Sequence, residues 1–478
     1  MNESTVAASV SNPAVAEPKG SGSWAPAQRF HFLGHEFDQA RGELQLHYRL
    51  EPGVRLCERF YFPLDQFADE EMLNSPAVQQ ALNALFDALH WVAAVSYWKT
   101  SCPRELVFHQ RSPDAWQADF LTRLYRQGLA EFAHVNDVDL TSRIDFSTYA
   151  ADYPFSAQSI ELPAQALVPM GGGKDSLVVL EHMRQHLPVR CCVVGQAKLI
   201  DDVAANTGVP LVRVRRQLAP ELKALNEAGA WNGHIPITAI NSIVLSILAL
   251  LTGHRYLVFA NERSADTATR ITGEGAGVNH QYSKSFVFER DWQHFLQHYV
   301  GGVQCFSLLR PWRELAVCQA FARLERYHEV FSSCNRNFHL TGSKLSGQGA
   351  AARWCGVCPK CHFVFLALAP FMAPAALATI FGNDLLADSS HTDAYAALLG
   401  LAGKRPFECI GEVAECRAAL SALAHDQQWQ QHAVVQALWP KLAALQMVHP
   451  EPDLAQLLAP HPEHAIPAAF AGPLLATT

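Results

Sequence analysis

A glycine-rich segment near the middle of the chain follows a short apolar run. It reads Met170-Gly-Gly-Gly-Lys-Asp-Ser176, and residues 166–169 before it are apolar enough to form a buried strand. Three consecutive glycines let backbone N–H groups converge on one point, because no Cβ atom obstructs them. A helix beginning directly after the loop would add partial positive charge. The pattern predicts a phosphate or pyrophosphate site. Its members are Gly171, Gly172, Gly173, Lys174, Asp175 and Ser176.

Within this loop the polar side chains have separate expected roles. Asp175 and Ser176 can cap the start of the helix, and Lys174 can neutralise anionic oxygens. The spacing matches neither the Gly-x-Gly-x-x-Gly pattern nor the Gly-x₄-Gly-Lys-[Ser/Thr] pattern. A glycine turn without any ligand is the alternative interpretation.

Four cysteines lie within 28 residues, and three of them have Cys-x₂-Cys-x₂-Cys spacing. They are Cys334, Cys355, Cys358 and Cys361. Four thiolates can close a tetrahedral zinc site, and a closed site of this kind is structural. A redox pair, an iron–sulfur cluster and plain buried thiols remain as alternatives, although a redox pair does not account for four cysteines.

Three polar strings interrupt apolar surroundings downstream of the glycine loop, at residues 232–238, 261–266 and 278–285. The second string follows a predicted strand, where ligands bind in open α/β sheets. Histidine, tyrosine and lysine in the third string can transfer protons or hold an anion. For each histidine and cation, a structural or solvated role is the alternative. The candidate residues are His234, Asn261, Glu262, Arg263, His280, Tyr282 and Lys284.

Around these motifs, apolar strands alternate with helical segments. Strands are predicted at residues 166–169, 189–195, 210–214 and 256–260, and helices at 177–186, 201–207 and 237–251. This alternation predicts an α/β fold with a parallel sheet and helices on both faces.

The flanking regions differ in character from this α/β segment. Before it, residues 29–37 and 43–50 predict a β-hairpin, residues 56–62 and 105–109 two more strands, and residues 75–97 and 115–133 two long helices. After it, residues 413–423 and 427–439 are helical in pattern, with Pro440 expected to end or kink the second helix. The predicted divisions are a disordered tail (1–24), an N-terminal α+β domain (25–164), an α/β domain that contains the glycine loop (165–330), a zinc-like segment with four cysteines (331–365) and a helical C-terminal region with a loose tail (366–478).

Composition limits the class of protein. The chain carries a net charge of −8, which disfavours a nucleic-acid-binding surface, and Arg213, Arg215 and Arg216 are expected to form a solvated strand end. No secretory signal is recognisable, and the apolar stretches are interrupted by polar residues or prolines. We therefore expect a cytoplasmic protein that neither spans a membrane nor contains a disulfide framework.

Several strings together resemble known proteins. The glycine loop is similar to the Ser-Gly-Gly-x-Asp-Ser loop of the PP-loop ATP pyrophosphatases, with Gly171 in place of the first serine, and the cysteine spacing resembles the zinc site of their deazaguanine-forming branch. The combination, over residues 25–425, resembles the MurL family of UDP-MurNAc-L-Ala-L-Glu epimerases. The strings that carry this resemblance lie at residues 170–176, 233–238, 261–263, 279–285, 354–361 and 398–409.

This resemblance implies a specific reaction. The terminal L-Glu of UDP-MurNAc-L-Ala-L-Glu is inverted to D-Glu with ATP and Mg²⁺ and without pyridoxal phosphate, in peptidoglycan precursor synthesis. It implies a pathway link to the ligase that adds L-Glu. It also implies that residues 171–176 hold the ATP phosphates, that His280, Tyr282 and Lys284 handle protons or anions, and that His234, Asn261, Glu262 and Arg263 bind substrate. A PP-loop enzyme that adenylates a nucleobase or tRNA, and a nucleotide sensor without catalysis, are the competing hypotheses.

Overall fold

The structure is a computed structural model that describes most of the chain. The described residues are 25–64, 70–152, 157–266, 270–271, 277–278, 282–338, 345, 349–402, 410–449 and 451–475. Within them no helix is both long enough and apolar enough to cross a membrane.

One large sheet organises the described part of the chain. Its strands are β1 (Arg29–Asp38), β2 (Glu43–Glu51), β3 (Val54–Tyr61), β4 (Glu105–Phe108), β5 (Ala166–Pro169), β6 (Val189–Val194), β7 (Leu211–Gln217), β8 (Tyr256–Phe259) and β11 (Gln304–Ser307). The spatial order is β11-β8-β5-β6-β7-β3-β2-β1-β4. Strands β9 (Arg270–Ile271) and β10 (Gly277–Val278) form a separate pair.

The sheet has a parallel part and an antiparallel part. Strands β11, β8, β5, β6 and β7 are mutually parallel, which confirms the predicted α/β class with a parallel sheet. Strand β3 pairs antiparallel with β7 and leads into the β1–β3 meander, so the N-terminal strands extend the same sheet. The chain moves from β5 to β6 in one direction and later returns to β8 on the other side of β5. The carboxyl end of β5 is therefore at the switch point where such sheets bind ligands.

Helices cover the sheet and build the C-terminal region. They are α1 (Glu70–Leu73), α2 (Pro76–Ala93), α3 (Val95–Trp98), α4 (Ala115–Gly128), α5 (Ala130–Asn136), α6 (Lys174–Met183), α7 (Lys198–Ala205), α8 (Glu221–Glu227), α9 (Ile237–Leu251), α10 (Phe286–Phe295), α11 (Glu314–Ala322), α12 (Asn335–Phe338), α13 (Pro359–Leu368), α14 (Pro374–Phe381), α15 (Thr392–Leu398), α16 (Val413–Ala424), α17 (Ala433–Val448) and α18 (Leu454–Leu458). One apolar core joins α2 and α9 to the N-terminal strands, and a second joins α6, α11, α13, α16 and α17.

Most predicted elements are confirmed, and the main errors concern helix ends. The predicted hairpin is present, with Phe37 opposite Leu44, and helix α9 has the predicted limits. The predicted helices 75–97 and 115–133 are each interrupted, at Ala94 and Leu129, and continue as separate helices. Pro440 does not end its helix, because α17 runs through it to Val448.

The C-terminal stretch, which the sequence predicts to be a loose tail, contacts the α/β part of the molecule. Phe470 is buried, and its ring stacks on Phe306 with 5.9 Å between centroids. The Tyr256 ring makes an edge contact with the same phenylalanine. Burial of a whole aromatic side chain contributes on the order of 2 kcal/mol, so Phe470 is an anchor of this stretch on the sheet.

The junction between β3 and β7 contains a buried ion pair. The Arg216 guanidinium donates to Glu58 Oε1 at 2.5 Å, and the Glu58 side chain is inaccessible to solvent. This corrects the expectation of a solvated arginine cluster, since Arg216 lies largely inside. Arg213 contacts Asp201 and the Gly195 carbonyl group, and Arg215 lies over the Tyr61 ring.

We predict that Arg216→Met destabilises the protein by about 3–5 kcal/mol, because it leaves the Glu58 carboxylate buried without its cation. Urea denaturation followed by circular dichroism would measure the change. The matched control is Lys223→Met, which removes the exposed Lys223–Glu227 pair and should cost less than about 1 kcal/mol. Equal losses for the two variants would contradict a structural role for the buried pair.

Candidate functional site

A cleft of about 480 Å³ opens at the carboxyl ends of β5, β6 and β8. Its walls come from the glycine loop, the end of β6, the helices α7 and α9, the segments that follow β8, and the cysteine-rich region. Its polar lining consists of Asp175, Ser176, Thr238, Asn241, Asn261, Lys284, Ser332, Ser333 and Lys360, together with the glycine-loop backbone. Two lysines and one aspartate give this lining a net positive charge, which suits an anionic ligand.

The glycine loop has the conformation that its sequence requires. Gly172 has φ +80°, a value that side-chain-bearing residues rarely adopt. Its carbonyl oxygen accepts a hydrogen bond of 3.0 Å from the Ser332 backbone N–H. A Cβ atom at Gly173 would lie 2.7 Å from Ser333 Oγ, so this glycine permits close approach of the two segments. The loop is thus held directly against the chain that leads into the cysteine cluster.

The residues predicted to hold phosphates divide into two groups. Gly171, Gly173, Asp175 and Ser176 line the cleft. The Lys174 side chain points inward, is only 2% exposed, and contacts Asp175 and Glu314. Its ammonium group is therefore part of a buried charge cluster beneath the loop. Helix α6 begins at Lys174, so its N-terminus lies at the cleft as expected.

Glu314, at the start of α11, is the centre of that cluster. One of its carboxylate oxygens contacts Lys174, and the other lies 3.8 Å from Lys360 Nζ. Burial would raise the pKa of Glu314, but the positive charges of Lys174 and Lys360 outweigh it and hold the pKa below its usual value. The same carboxylate, with Asp175, keeps the pKa of Lys174 high despite its burial. The pair therefore remains ionised.

Glu262, in the polar string after β8, has a raised pKa, in contrast to Glu314. Burial raises its pKa to about 7, and the negative charge of Glu314 adds to that rise. The Ser264 hydroxyl group donates to Glu262 Oε2 at 2.7 Å. This carboxyl group consequently gains or loses its proton near neutral pH. Its neighbour Asn261 lines the cleft and donates to Ser307 Oγ at 3.2 Å.

A buried arginine joins two of the polar strings. Arg310 forms an ion pair with Glu289 at 3.0 Å, and both side chains are at most 5% exposed. Its guanidinium group also donates to the backbone carbonyl groups of Lys284, at 2.7 Å, and Glu262, at 3.3 Å. Because one planar group holds both strings, their positions at the cleft are fixed relative to each other.

The remaining predicted residues occupy varied positions. Lys284 lines the cleft, whereas the Tyr282 side chain is buried beside Phe288, and burial raises its pKa above the ordinary value. His234 lies 3.6 Å from Glu131 of α5, away from the described cleft lining. The Arg263 backbone N–H donates to the Trp312 carbonyl oxygen. His280 lies outside the described residues, and its role stays a prediction.

The four predicted cysteines come together. Their sulfur atoms all lie within 4.8 Å of one another, and the Cys334–Cys358, Cys355–Cys361 and Cys358–Cys361 separations are 3.9, 3.7 and 3.4 Å. Four sulfurs placed tetrahedrally around zinc at about 2.3 Å would be about 3.8 Å apart. The cluster can therefore hold a metal ion. The segment that leads into it, Ser332 and Ser333, contacts the glycine loop.

Sequence reasoning does not find several residues of this site. Asn241 lies within an apolar helix, where it carries little signal. Thr238 belongs to the first polar string but was not among its candidate residues, although it lies one helical turn before Asn241 on the same face. In the sequence, Lys360 is only a spacer between two cysteines. Glu314 carries no local signal, because its importance arises from contacts with residues distant in the chain.

We predict that Glu262 makes stability depend on pH. A carboxyl group whose pKa is about 7 when folded and about 4.5 when unfolded keeps its proton longer in the folded state. It stabilises the fold fully below about pH 4.5, and this contribution is lost as the pH rises through about 7. Glu262→Gln should therefore gain stability relative to wild type between about pH 5 and about pH 8, as measured by urea denaturation. A difference that stays constant over this range would contradict the raised pKa.

Comparisons with known proteins give one consistent family. Residues 23–308 match the MurL N-terminal domain, and residues 330–452 match the MurL C-terminal domain. The chain is 44% identical over 409 residues, 85% of its length and 88% of the relative's, to the UDP-N-acetyl-alpha-D-muramoyl-L-alanyl-L-glutamate epimerase of Xanthomonas oryzae pv. oryzae. It is 38% identical to the enzyme of the same name from Micromonospora sp., over 86% of this chain and 90% of the relative.

A third relative of the same name, from Salinispora tropica, is 37% identical over 86% of this chain and 88% of its own length. No solved structure gives a significant match. Since two family models together match most of the chain and the relatives align over nearly their full lengths, this chain belongs to the MurL family.

Proposed function

We propose that this protein binds ATP in the cleft and uses it to epimerise the terminal L-Glu of UDP-MurNAc-L-Ala-L-Glu. The observation that carries the proposal is the glycine loop at the switch point of the parallel sheet, facing a cleft with two lysines. The names of the three relatives support the choice of substrate. The loop pattern and its position support a PP-loop type of ATP site.

The chemistry explains the need for ATP. A Cα–H group beside a carboxylate is a very weak acid, because its removal places a second negative charge next to the first. In the proposed reaction the carboxylate oxygen attacks the α-phosphorus of ATP, and pyrophosphate leaves. The resulting acyl adenylate has lost the carboxylate charge, so Cα can be deprotonated and the enolate stabilised electrostatically. Reprotonation on the opposite face inverts Cα, and water then releases AMP.

The residues of the cleft fit this sequence of steps. The backbone of residues 171–173, the N-terminus of α6 and Lys284 would hold the phosphate groups. Asp175 is an acidic side chain of the lining and would hold Mg²⁺, which prefers oxygen ligands and would neutralise the phosphates. Asn261, which lines the cleft after β8, would meet the substrate, whereas the neighbouring Glu262 side chain lies outside the described lining.

Proton transfer at Cα needs a side chain that can accept and donate a proton. His280, Tyr282 and Lys284 are the predicted group, and Lys284 is the member that lies in the described cleft lining. The raised pKa of buried Tyr282 makes it a weaker acid, so Lys284 and His280 are the better candidates within this group.

The decisive experiment is an incubation in D₂O with ATP, Mg²⁺ and UDP-MurNAc-L-Ala-L-Glu. We expect D-Glu carrying deuterium at Cα, with AMP and pyrophosphate formed, because the inverted centre takes its hydrogen from solvent. Chiral chromatography and mass spectrometry of the hydrolysed product would measure both features. Omitting ATP is the control.

Two outcomes would redirect the proposal. Unlabelled L-Glu from protein that binds ATP would indicate another adenylated acceptor, such as a nucleobase or tRNA. Inversion without ATP would exclude the adenylation mechanism while leaving the epimerase activity intact.

For the cysteine cluster we propose a structural zinc ion. The thiol separations match a tetrahedral sulfur site, and four protein ligands leave no open position for catalysis. The purified protein should then contain about one equivalent of zinc by mass spectrometry.

Cys358→Ser should lose most of this metal and lower the melting temperature, because metal binding contributes to folding. Cys57→Ser, which changes a partly buried cysteine on β3, is the matched control and should keep its zinc. Iron with visible absorbance, or no metal in protein purified without chelators, would contradict the proposal.

A further inference from the structure

Lys360 lies between Cys358 and Cys361, two cysteines of the cysteine cluster. It follows Pro359 in the first turn of α13, with Cys358 before it and Cys361 after it. Its side chain is 15% exposed and lines the same cleft as the glycine loop. A metal bound by both flanking cysteines would fix the backbone on either side of this lysine.

Two interactions orient the Lys360 ammonium group. Glu314 Oε1 lies 3.8 Å away on the inner side, and the Phe363 ring lies 5.4 Å from Nζ. Glu314 also holds Lys174, so one buried carboxylate anchors two cations at different depths. Lys174 is 2% exposed, whereas Lys360 reaches the surface of the cleft.

The glycine loop and the cysteine cluster are also joined through the backbone. Ser332, which donates to the Gly172 carbonyl group, accepts a hydrogen bond from the Cys334 backbone N–H at 3.2 Å. The Ser332 hydroxyl group in turn donates to the Arg353 carbonyl oxygen at 2.7 Å, close to Cys355. The cluster therefore supports both the loop and the lysine opposite it.

We propose that Lys360, rather than Lys174, is the cation that binds the triphosphate of ATP together with Lys284, and that the metal cluster positions it. This inference rests on the proposed binding of ATP in this cleft. Lys174 then serves to balance Glu314 beneath the loop. The cysteine cluster becomes part of the nucleotide site because it carries a ligand-binding residue between two of its own cysteines.

The test compares ATP binding by wild type, Lys360→Met, Lys360→Arg and the exposed-site control Lys223→Met. Isothermal titration with α,β-methylene-ATP and Mg²⁺ gives Kd without turnover. Loss of a charge-assisted contact should raise Kd about tenfold or more in Lys360→Met. Lys360→Arg should recover most of the affinity, and Lys223→Met should match wild type. Zinc content and melting temperature are measured on every variant.

Steady-state kinetics supply a second readout. KM for ATP should rise in Lys360→Met while KM for the UDP-muramoyl dipeptide stays near that of wild type. Unchanged Kd in Lys360→Met, with wild type binding the analogue, would overturn the inference alone. Loss of zinc in parallel with affinity, without recovery in Lys360→Arg, would assign Lys360 to metal-site folding and also overturn it. A wild type that does not bind the analogue would overturn the proposed function itself.

Discussion

The buried ion pair between Lys174 and Glu314 is the interaction on which the cleft depends. It joins α6, which begins at the glycine loop, to α11, and Glu314 extends the contact to Lys360 at the start of α13. A buried charge without its partner would be costly, so these three helices are held in one arrangement. The positions of the loop, the C-terminal helices and the cysteine cluster are thereby coupled.

A second buried ion pair, between Arg310 and Glu289, also holds separate segments near the cleft together. The Arg310 guanidinium group donates to the Glu289 carboxylate and also to the backbone carbonyl groups of Glu262 and Lys284. Irregular segments after strands are otherwise the parts of a fold that vary most in position. Fixing them through a rigid guanidinium group gives the cleft preorganised walls.

The two buried glutamates near the cleft, Glu314 and Glu262, differ in pKa because their charged neighbours differ. Glu314 stays ionised because lysines surround it, whereas Glu262, nearby but facing the negative charge of Glu314, has a pKa near neutrality. Two carboxyl groups in one site with separated pKa values are typical of sites that handle protons. Lys174 of the glycine loop does not reach the cleft surface, because its ammonium group pairs with the buried Glu314 carboxylate.

The local features of the fold and of the site could be predicted from residue types and their spacing. Apolar runs and periodicity located the strands from β5 to β8 and helix α9, since burial dictates those patterns. The glycine loop and the four cysteines were identifiable because their chemistry needs particular residue types at short spacing. The helix interruption at Ala94 could not be predicted, because no glycine or proline lies beside it and packing overrides propensity there. At Leu129 the preceding Gly128 was a sequence signal for the end of the helix.

The pairing of the buried charges, in contrast, depends on how the chain folds in three dimensions. The different positions of Lys174 and Lys360, the contact of both with Glu314, and the burial of Arg216 and Arg310 all depend on partners far away in the chain. A lysine has the same sequence signature whether it neutralises a buried carboxylate or faces a ligand. Only the direction of its side chain in the folded protein distinguishes these two outcomes, because Coulomb interactions depend on distance and burial rather than on sequence separation.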